Sequence, residues 1–164
     1  MAEVTLGGNP VHTSGDLPEG GSAAPSFTLT GSDLGDVTSE QFSGKNLVLN
    51  IFPSVDTPTC ATSVRTFNER AAGLDDTEVV CVSADLPFAQ GRFCGAEGIE
   101  NVSTASTFRS SFGNDYGVAL GDGPLAGVLA RAVVVVGADG TVKHTEMVSE
   151  IAQEPDYDAA LGSI

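Results

Sequence analysis

Asn46-Leu47-Val48-Leu49-Asn50-Ile51-Phe52-Pro53-Ser54-Val55-Asp56-Thr57-Pro58-Thr59-Cys60 is an apolar run that stops at one proline and restarts as a helical pattern after a second. Leu47–Phe52 is apolar at both odd and even positions, which predicts a strand buried on both faces, at the centre of a helix-covered sheet. Beyond it, Thr59–Leu74 carries Val64, Phe67, Ala71 and Leu74 at helical spacing, with Arg65, Glu69 and Arg70 on the other positions. Thr57 suits the N-cap of that helix, and Pro58 its first residue, where a missing N–H costs nothing. Cys60 then falls at the third helical position, at the tip of a buried strand. Unpaired N–H groups and a partial positive charge gather there, so a thiolate is stabilised. A free cysteine is more often a small buried hydrophobe. Packing alone, however, does not require this proline-bounded helix start, and Cys60 is the candidate nucleophile.

On the N-terminal side, the first 45 residues are rich in Gly, Ser, Pro and Thr. Strand-like pieces at Glu3–Leu6 and Ser26–Thr30 read as a hairpin followed by a loop-rich crossing. On the C-terminal side, Glu78–Ser83 is a second buried strand. Asp85-Leu86-Pro87 reads as the cap and first turn of a short helix over Phe88–Cys94, which Gly91, Gly95 and Gly98 loosen. A short helix is expected at Thr107–Phe112, then a glycine-rich connection from Gly113 to Gly127. Ala132–Val136 is the most apolar strand, and Ala138-Asp139-Gly140-Thr141 turns it into Val142–Met147 as an antiparallel hairpin. Pro155–Leu161 closes the chain as a helix. The order β-α-β-α-β-β-α predicts an α/β fold in which a hairpin extends a parallel pair: a thioredoxin-like fold with an N-terminal β-hairpin extension, in one domain over residues 1–164.

Composition narrows the function classes. Seven basic residues against twenty-two acidic ones give a net charge of −15, which repels phosphate, so neither nucleic acid nor an anionic membrane is an expected partner. No apolar stretch approaches the roughly 18 residues of a membrane span, and Met1–Leu6 lacks the features of a secretory signal, so the expected location is cytoplasmic. Cys60, Cys81 and Cys94 lie 21 and 13 residues apart with no C-x-x-C pair, and His12 and His144 stand away from them in sequence. Neither a zinc site nor a disulfide scaffold follows from that spacing, and no cofactor is implied.

Two further residues bear chemistry. Arg131 sits between the apolar segment Pro124–Ala130 and the Ala132 strand. A guanidinium there must be paired or face a cleft, and its fork of donors suits a thiolate and a developing oxyanion. Cys94 is a candidate second thiol, able to capture a sulfenic acid formed on Cys60 as a disulfide, if helices can move to bring the two together. Cys81, mid-strand between valines, reads as core.

Pro53-x-x-x-Thr57-x-x-Cys60 matches the P-x-x-x-T/S-x-x-C motif of the peroxiredoxins. The runs Asn50–Arg65, Ser83–Glu97 and Leu129–Val136 extend the likeness over nearly the whole chain. Together they resemble the bacterial thiol peroxidases, the atypical two-cysteine subgroup. That resemblance implies an enzyme, a thioredoxin-dependent peroxidase that reduces hydrogen peroxide and organic hydroperoxides. By resemblance, Cys60 is the peroxidatic cysteine and Cys94 the resolving one, joined in an intrachain disulfide. Thr57 orients the peroxide, Arg131 stabilises thiolate and peroxide, and Pro53 shields the pocket. Thioredoxin as reductant and a homodimer are the implied partners. Two other readings compete. A thiol–disulfide oxidoreductase requires C-x-x-C, yet Thr57 and Ser63 stand at the spaced positions. A non-catalytic redox sensor or binding module switched by a Cys60–Cys94 disulfide differs from the enzyme in lacking turnover.

Overall fold

In the computed structural model, which describes residues 1–164, the chain opens with β1 (Glu3–Leu6) and β2 (Asn9–His12), then β3 (Thr28–Gly31) and β4 (Asp36–Thr38). A 3-10 turn leads to β5 (Asn46–Ile51), α1 (Pro58–Ala71), β6 (Thr77–Ser83), α2 (Pro87–Glu97), β7 (Ser103–Ser106) and α3 (Phe112–Asp115). The chain ends with β8 (Ala132–Val136), β9 (Val142–Met147) and α4 (Tyr157–Leu161). Seven strands form one sheet in the order β4-β3-β7-β6-β5-β8-β9, while β1 and β2 form a separate hairpin. This is the thioredoxin-like α/β arrangement, with the hairpin as its N-terminal extension.

β5 lies inside the sheet because both its faces are apolar: it pairs parallel with β6 and antiparallel with β8. Leu47, Leu49 and Ile51 face one core with Val80, Val82, Val134 and Tyr116. Val48 and Phe52 face the other with Val79, Cys81, Val133, Val135 and, from α1, Cys60, Val64 and Phe67. Period-two alternation on strands thus feeds two layers of core. One polar residue interrupts it. Asn50, fully buried, donates from Nδ2 to Ser63 Oγ (3.2 Å), and Ser63 Oγ donates to the Cys60 carbonyl (2.8 Å).

The structure corrects the reading of the first 45 residues and of the segment after α2. Glu3–Leu6 pairs with Asn9–His12, through a Gly7-Gly8 turn with φ of 58° and 84°, not with Ser26–Thr30. Positive φ at both central residues is what a two-residue hairpin turn needs, and two glycines supply it. The Ser26–Thr30 piece becomes β3 and joins the main sheet antiparallel to β4 and β7. β7 itself, running parallel to β6, makes the parallel core three strands wide instead of two. Its sequence, Ser-Thr-Ala-Ser, is small and polar and carries no apolar run. The helix expected at Thr107–Phe112 forms one turn later, as α3.

Parallel β5, β6 and β7 end at one side of the sheet, where α1 and α2 begin. Such a rim, outside the carboxyl ends of parallel strands, is where open α/β sheets place their ligands.

Candidate active site

α1 begins as its sequence predicts. Thr57 occupies the N-cap with extended backbone (φ −99°, ψ 146°), Pro58 the first helical position and Cys60 the third. Its hydroxyl does not cap, however: Thr57 Oγ1 donates to the Ser54 carbonyl (3.1 Å). Ala61 N–H is the first to find a helical acceptor, the Thr57 carbonyl at 3.0 Å. The N–H groups of Thr59 and Cys60 have no acceptor in the chain. Two uncapped donors therefore remain beside the Cys60 thiol.

Arg131 reaches that thiol by sheet register. Ala132 of β8 pairs with Ile51 of β5, which sets Arg131 beside the point where β5 gives way to the Pro53–Thr57 loop. Cys60 and Arg131 are 71 residues apart in sequence, yet Arg131 Nη2 donates to Cys60 Sγ at 3.2 Å. Both are buried, with exposures of 0% and 2%. Arg131 Nε donates to the Ile151 carbonyl (2.7 Å), and Nη1, also buried, has no partner. A buried guanidinium keeps a free donor only at a cost, and this one belongs to the same guanidinium that contacts the Cys60 sulfur. The Cys60 N–H and Arg131 Nη1 are thus free donors, and Thr57 Oγ1, its hydrogen directed to Ser54, keeps acceptor lone pairs.

The loop between Pro53 and Thr57 is fixed by Asp85. Its carboxylate accepts from Ser54 Oγ (2.7 Å), Val55 N–H (2.9 Å) and Ser83 Oγ (2.6 Å). Asp85 is thus not the cap of α2; Leu86 holds that position, without a side-chain cap. Pro53, buried, separates strand from loop. No sequence signal marks Asp85 beyond its place before Leu86-Pro87, since its three donors come from residues 30 and 31 positions away and from Ser83.

Cys94, half-buried on α2, packs against the core cluster that contains Cys60 and Cys81. All three cysteines are free, so the structure does not join Cys60 to Cys94. Burial pushes the Cys94 thiol up, while a nearby Thr104 hydroxyl acts the other way. Complete burial pushes Cys81 up to about 12, against an Asn50 contact, so its thiol is inert in this fold. A groove of about 320 Å³ flanks the first turn of α1, between Pro58, Thr59 and Thr62 on one side and Ala152, Gln153 and Glu154 on the other. A cleft of about 270 Å³ floored by Phe27, Phe42, Leu47 and Tyr116 contains none of these chemical groups. No helix is long and apolar enough to cross a membrane.

The sequence matches the redoxin family over residues 19–161. It is 67% identical to the thiol peroxidase of Mycobacterium tuberculosis over 164 residues, covering 100% of this chain and 99% of that one. Identity to the thiol peroxidase of Corynebacterium glutamicum is 57% over the same spans. The fold superposes on the crystal structure of a peroxiredoxin-like protein from Aquifex aeolicus with a TM-score of 0.94 and 40% identity, covering 99% of this chain and 95% of that chain. The chain belongs to the redoxin family and, within it, to the thiol peroxidases.

Proposed function

We propose that this peroxidase works through Cys60 as attacking thiolate and Cys94 as resolving thiol, in one domain, with thioredoxin as reductant. The observation that carries the reading is the buried Arg131–Cys60 contact at 3.2 Å, which sets a permanent cation against a sulfur beside two free helix N–H donors. A fixed guanidinium and fixed N–H dipoles at that point are preorganised to meet negative charge as it moves from sulfur to oxygen.

The steps balance as follows. A hydroperoxide R–O–O–H donates its hydrogen to Thr57 Oγ1, whose own hydrogen is committed to the Ser54 carbonyl. The distal oxygen accepts from Arg131 Nη1 and the Cys60 N–H. The Cys60 sulfur attacks one oxygen along the O–O axis. An S–O bond forms to the hydroxyl oxygen, which keeps its hydrogen in the sulfenic acid; the O–O bond breaks, and the leaving alkoxide or hydroxide takes a proton from water to depart as alcohol or water. Pro53 keeps bulk water from competing. Because Cys60 has no solvent exposure, access requires the Pro53–Pro58 loop to yield slightly, and hydrogen peroxide and organic hydroperoxides differ in how far. Cys60 sulfenic acid then condenses with the Cys94 thiol: the S–S bond forms, the S–O bond breaks, and the hydroxyl leaves with the thiol proton as water, giving the intrachain disulfide. Half-buried on α2, with its thiol pushed up by that burial, Cys94 is a poor nucleophile; unwinding the helix delivers it and exposes it to water, where the thiolate forms more readily. Thioredoxin returns both thiols by exchange, its own dithiol becoming the disulfide. Three unpaired cysteines suit a cytoplasmic setting, where thiols are kept reduced.

Peroxide consumption coupled to thioredoxin oxidation tests the reading. Turnover is lost in Cys60→Ser, whereas Cys94→Ser reacts with one equivalent of peroxide and then stops. Continued thioredoxin-supported cycling in Cys94→Ser would remove that residue from the mechanism.

A further inference from the structure

The Glu150 carboxylate is far from the thiol in sequence and makes no contact with it, yet it receives four donors. Oε1 accepts from Thr5 Oγ1 (3.0 Å) and Gly8 N–H (2.9 Å). Oε2 accepts from Gly7 N–H (3.2 Å) and Ala152 N–H (2.9 Å). The positive φ of Gly7 and Gly8 turns both N–H groups of the β1–β2 hairpin inward onto this one side chain. The hairpin and the Val148–Ala152 segment are sewn together further: Thr5 N–H donates to the Ser149 carbonyl and Ile151 N–H to the Thr5 carbonyl, each at 2.8 Å. Ile151 also packs in a small core with Val4, Val11, Leu120 and Ala130, the residue before Arg131. From this segment come two bonds that hold Arg131: Val148 N–H donates to its carbonyl (3.0 Å), and the Ile151 carbonyl accepts from its Nε (2.7 Å).

We propose that Glu150 is a positioning residue for the peroxide reaction: it clamps the N-terminal hairpin to the Val148–Ala152 segment, and so aims the Arg131 guanidinium at Cys60. This rests on the role of Arg131 argued above. The hairpin extension thereby acquires a task in the chemistry, because without it the Ile151 carbonyl has no fixed place. Backbone donors from Ala152 and Gly8, with Thr5 and Gly7, hold the Glu150 carboxyl down to about 2, below its ordinary 4.5. A lowered carboxyl contributes above its ordinary range and stops contributing only as pH falls from 4.5 toward 2, so the clamp is charged wherever the enzyme works. Charge is also required chemically. Each oxygen accepts from two donors, and the NH₂ of a glutamine would face two of them.

A double-mutant cycle on the second-order rate constant for hydrogen peroxide tests the coupling. Glu150→Gln and Glu150→Ala lower that constant about tenfold or more, because an ångström of misplacement costs on that scale. In an Arg131→Lys background, the same substitutions cause no loss beyond about twofold. The ¹⁵N-edited Arg131 Nε–H signal, protected by the Ile151 carbonyl in the parent, exchanges faster in Glu150→Gln. Should Glu150 variants fold poorly, Gly8→Ala reports the same clamp from the hairpin side; its Cβ meets nothing within 4 Å, but its φ of 84° is strained. Losses that multiply across the cycle, or a parent-like Arg131 signal in slow variants, overturn the proposal. An Arg131→Lys enzyme as fast as the parent instead overturns the reading of Arg131 on which it stands.

Discussion

Arg131 commits two of its three nitrogens, Nε to the Ile151 carbonyl and Nη2 to the Cys60 sulfur, and leaves Nη1 without a partner in the chain. Lysine preserves the charge but offers one compact ammonium, which cannot span a carbonyl, a sulfur and an incoming oxygen. Arg131→Lys is therefore expected to lower the hydrogen peroxide rate constant by about two orders of magnitude, the scale of losing a preorganised donor. Stopped-flow oxidation under single-turnover conditions measures it, and a loss under about threefold would show that charge alone suffices. The residue types at this site were legible in the sequence: Thr57-Pro58-Thr59-Cys60 announces a helix start, and an arginine between two apolar segments must face something. Their meeting was not. It depends on Ala132 pairing with Ile51, a register set by whole strands. The free donor on Nη1 and the service of the Ile151 carbonyl were illegible for the same reason, since a backbone acceptor leaves no mark in sequence.

At the scale of elements, α2 is lightly held. Only Pro87, Gln90 and Phe93 of its eleven residues are buried, so little apolar contact holds it down. Its fastenings are polar: Gln90 Nε2 donates to Ser83 Oγ and the Ala105 carbonyl, and exposed ion pairs join Arg92 to Asp56 and Glu97 to Arg65. Gly91 and Gly95 weaken the helix itself. A Cβ at either meets nothing within 4 Å, so alanine fits both places without strain. Each Gly→Ala change stabilises the helix by about 1 kcal/mol. If resolution waits on unwinding, Gly91→Ala and Gly95→Ala each slow disulfide formation by about fivefold and leave the peroxide step unchanged, because only the second step needs α2 to open. Rapid mixing with thiol quantification separates the two phases. Unchanged resolution in the double variant would mean that Cys94 reaches Cys60 without unwinding. The sequence made this helix and its glycines readable, as it did β5, β8 and β9. It concealed β7, whose Thr104, Ala105 and Ser106 are buried by their neighbours without any apolar run of their own. It also misdirected Asp85, whose partners on the Pro53–Thr57 loop are brought close only by the parallel pairing of β5 and β6.

For the whole molecule, the net charge of −15 sets the terms on which two copies can meet. Like-charged proteins repel over a Debye length, about 8 Å at physiological ionic strength, so association needs a surface where apolar burial outweighs that repulsion. One rim of the molecule offers it. Leu86, Phe88 and Phe108 are 49%, 69% and 45% exposed. Leu86 and Phe88 flank Pro87 at the start of α2. Phe108 lies on the same rim, since Ser106 Oγ donates to the Asp85 carbonyl and accepts from Phe108 N–H. Two of the seven basic residues are placed there as well: Arg92 on α2, and Arg109, whose guanidinium carbon sits 5.2 Å from the Phe108 ring centre. Locally the charge is thus less adverse than the total suggests. A homodimer formed through this rim would adjoin the loop and helix that the proposed mechanism requires to move. Sedimentation equilibrium at low and high salt checks the idea. The parent is expected to dimerise more tightly as salt screens the repulsion, and Phe88→Glu to remain monomeric at both. A parent that stays monomeric throughout, or a Phe88→Glu variant that associates equally well, would place any dimer elsewhere on the surface.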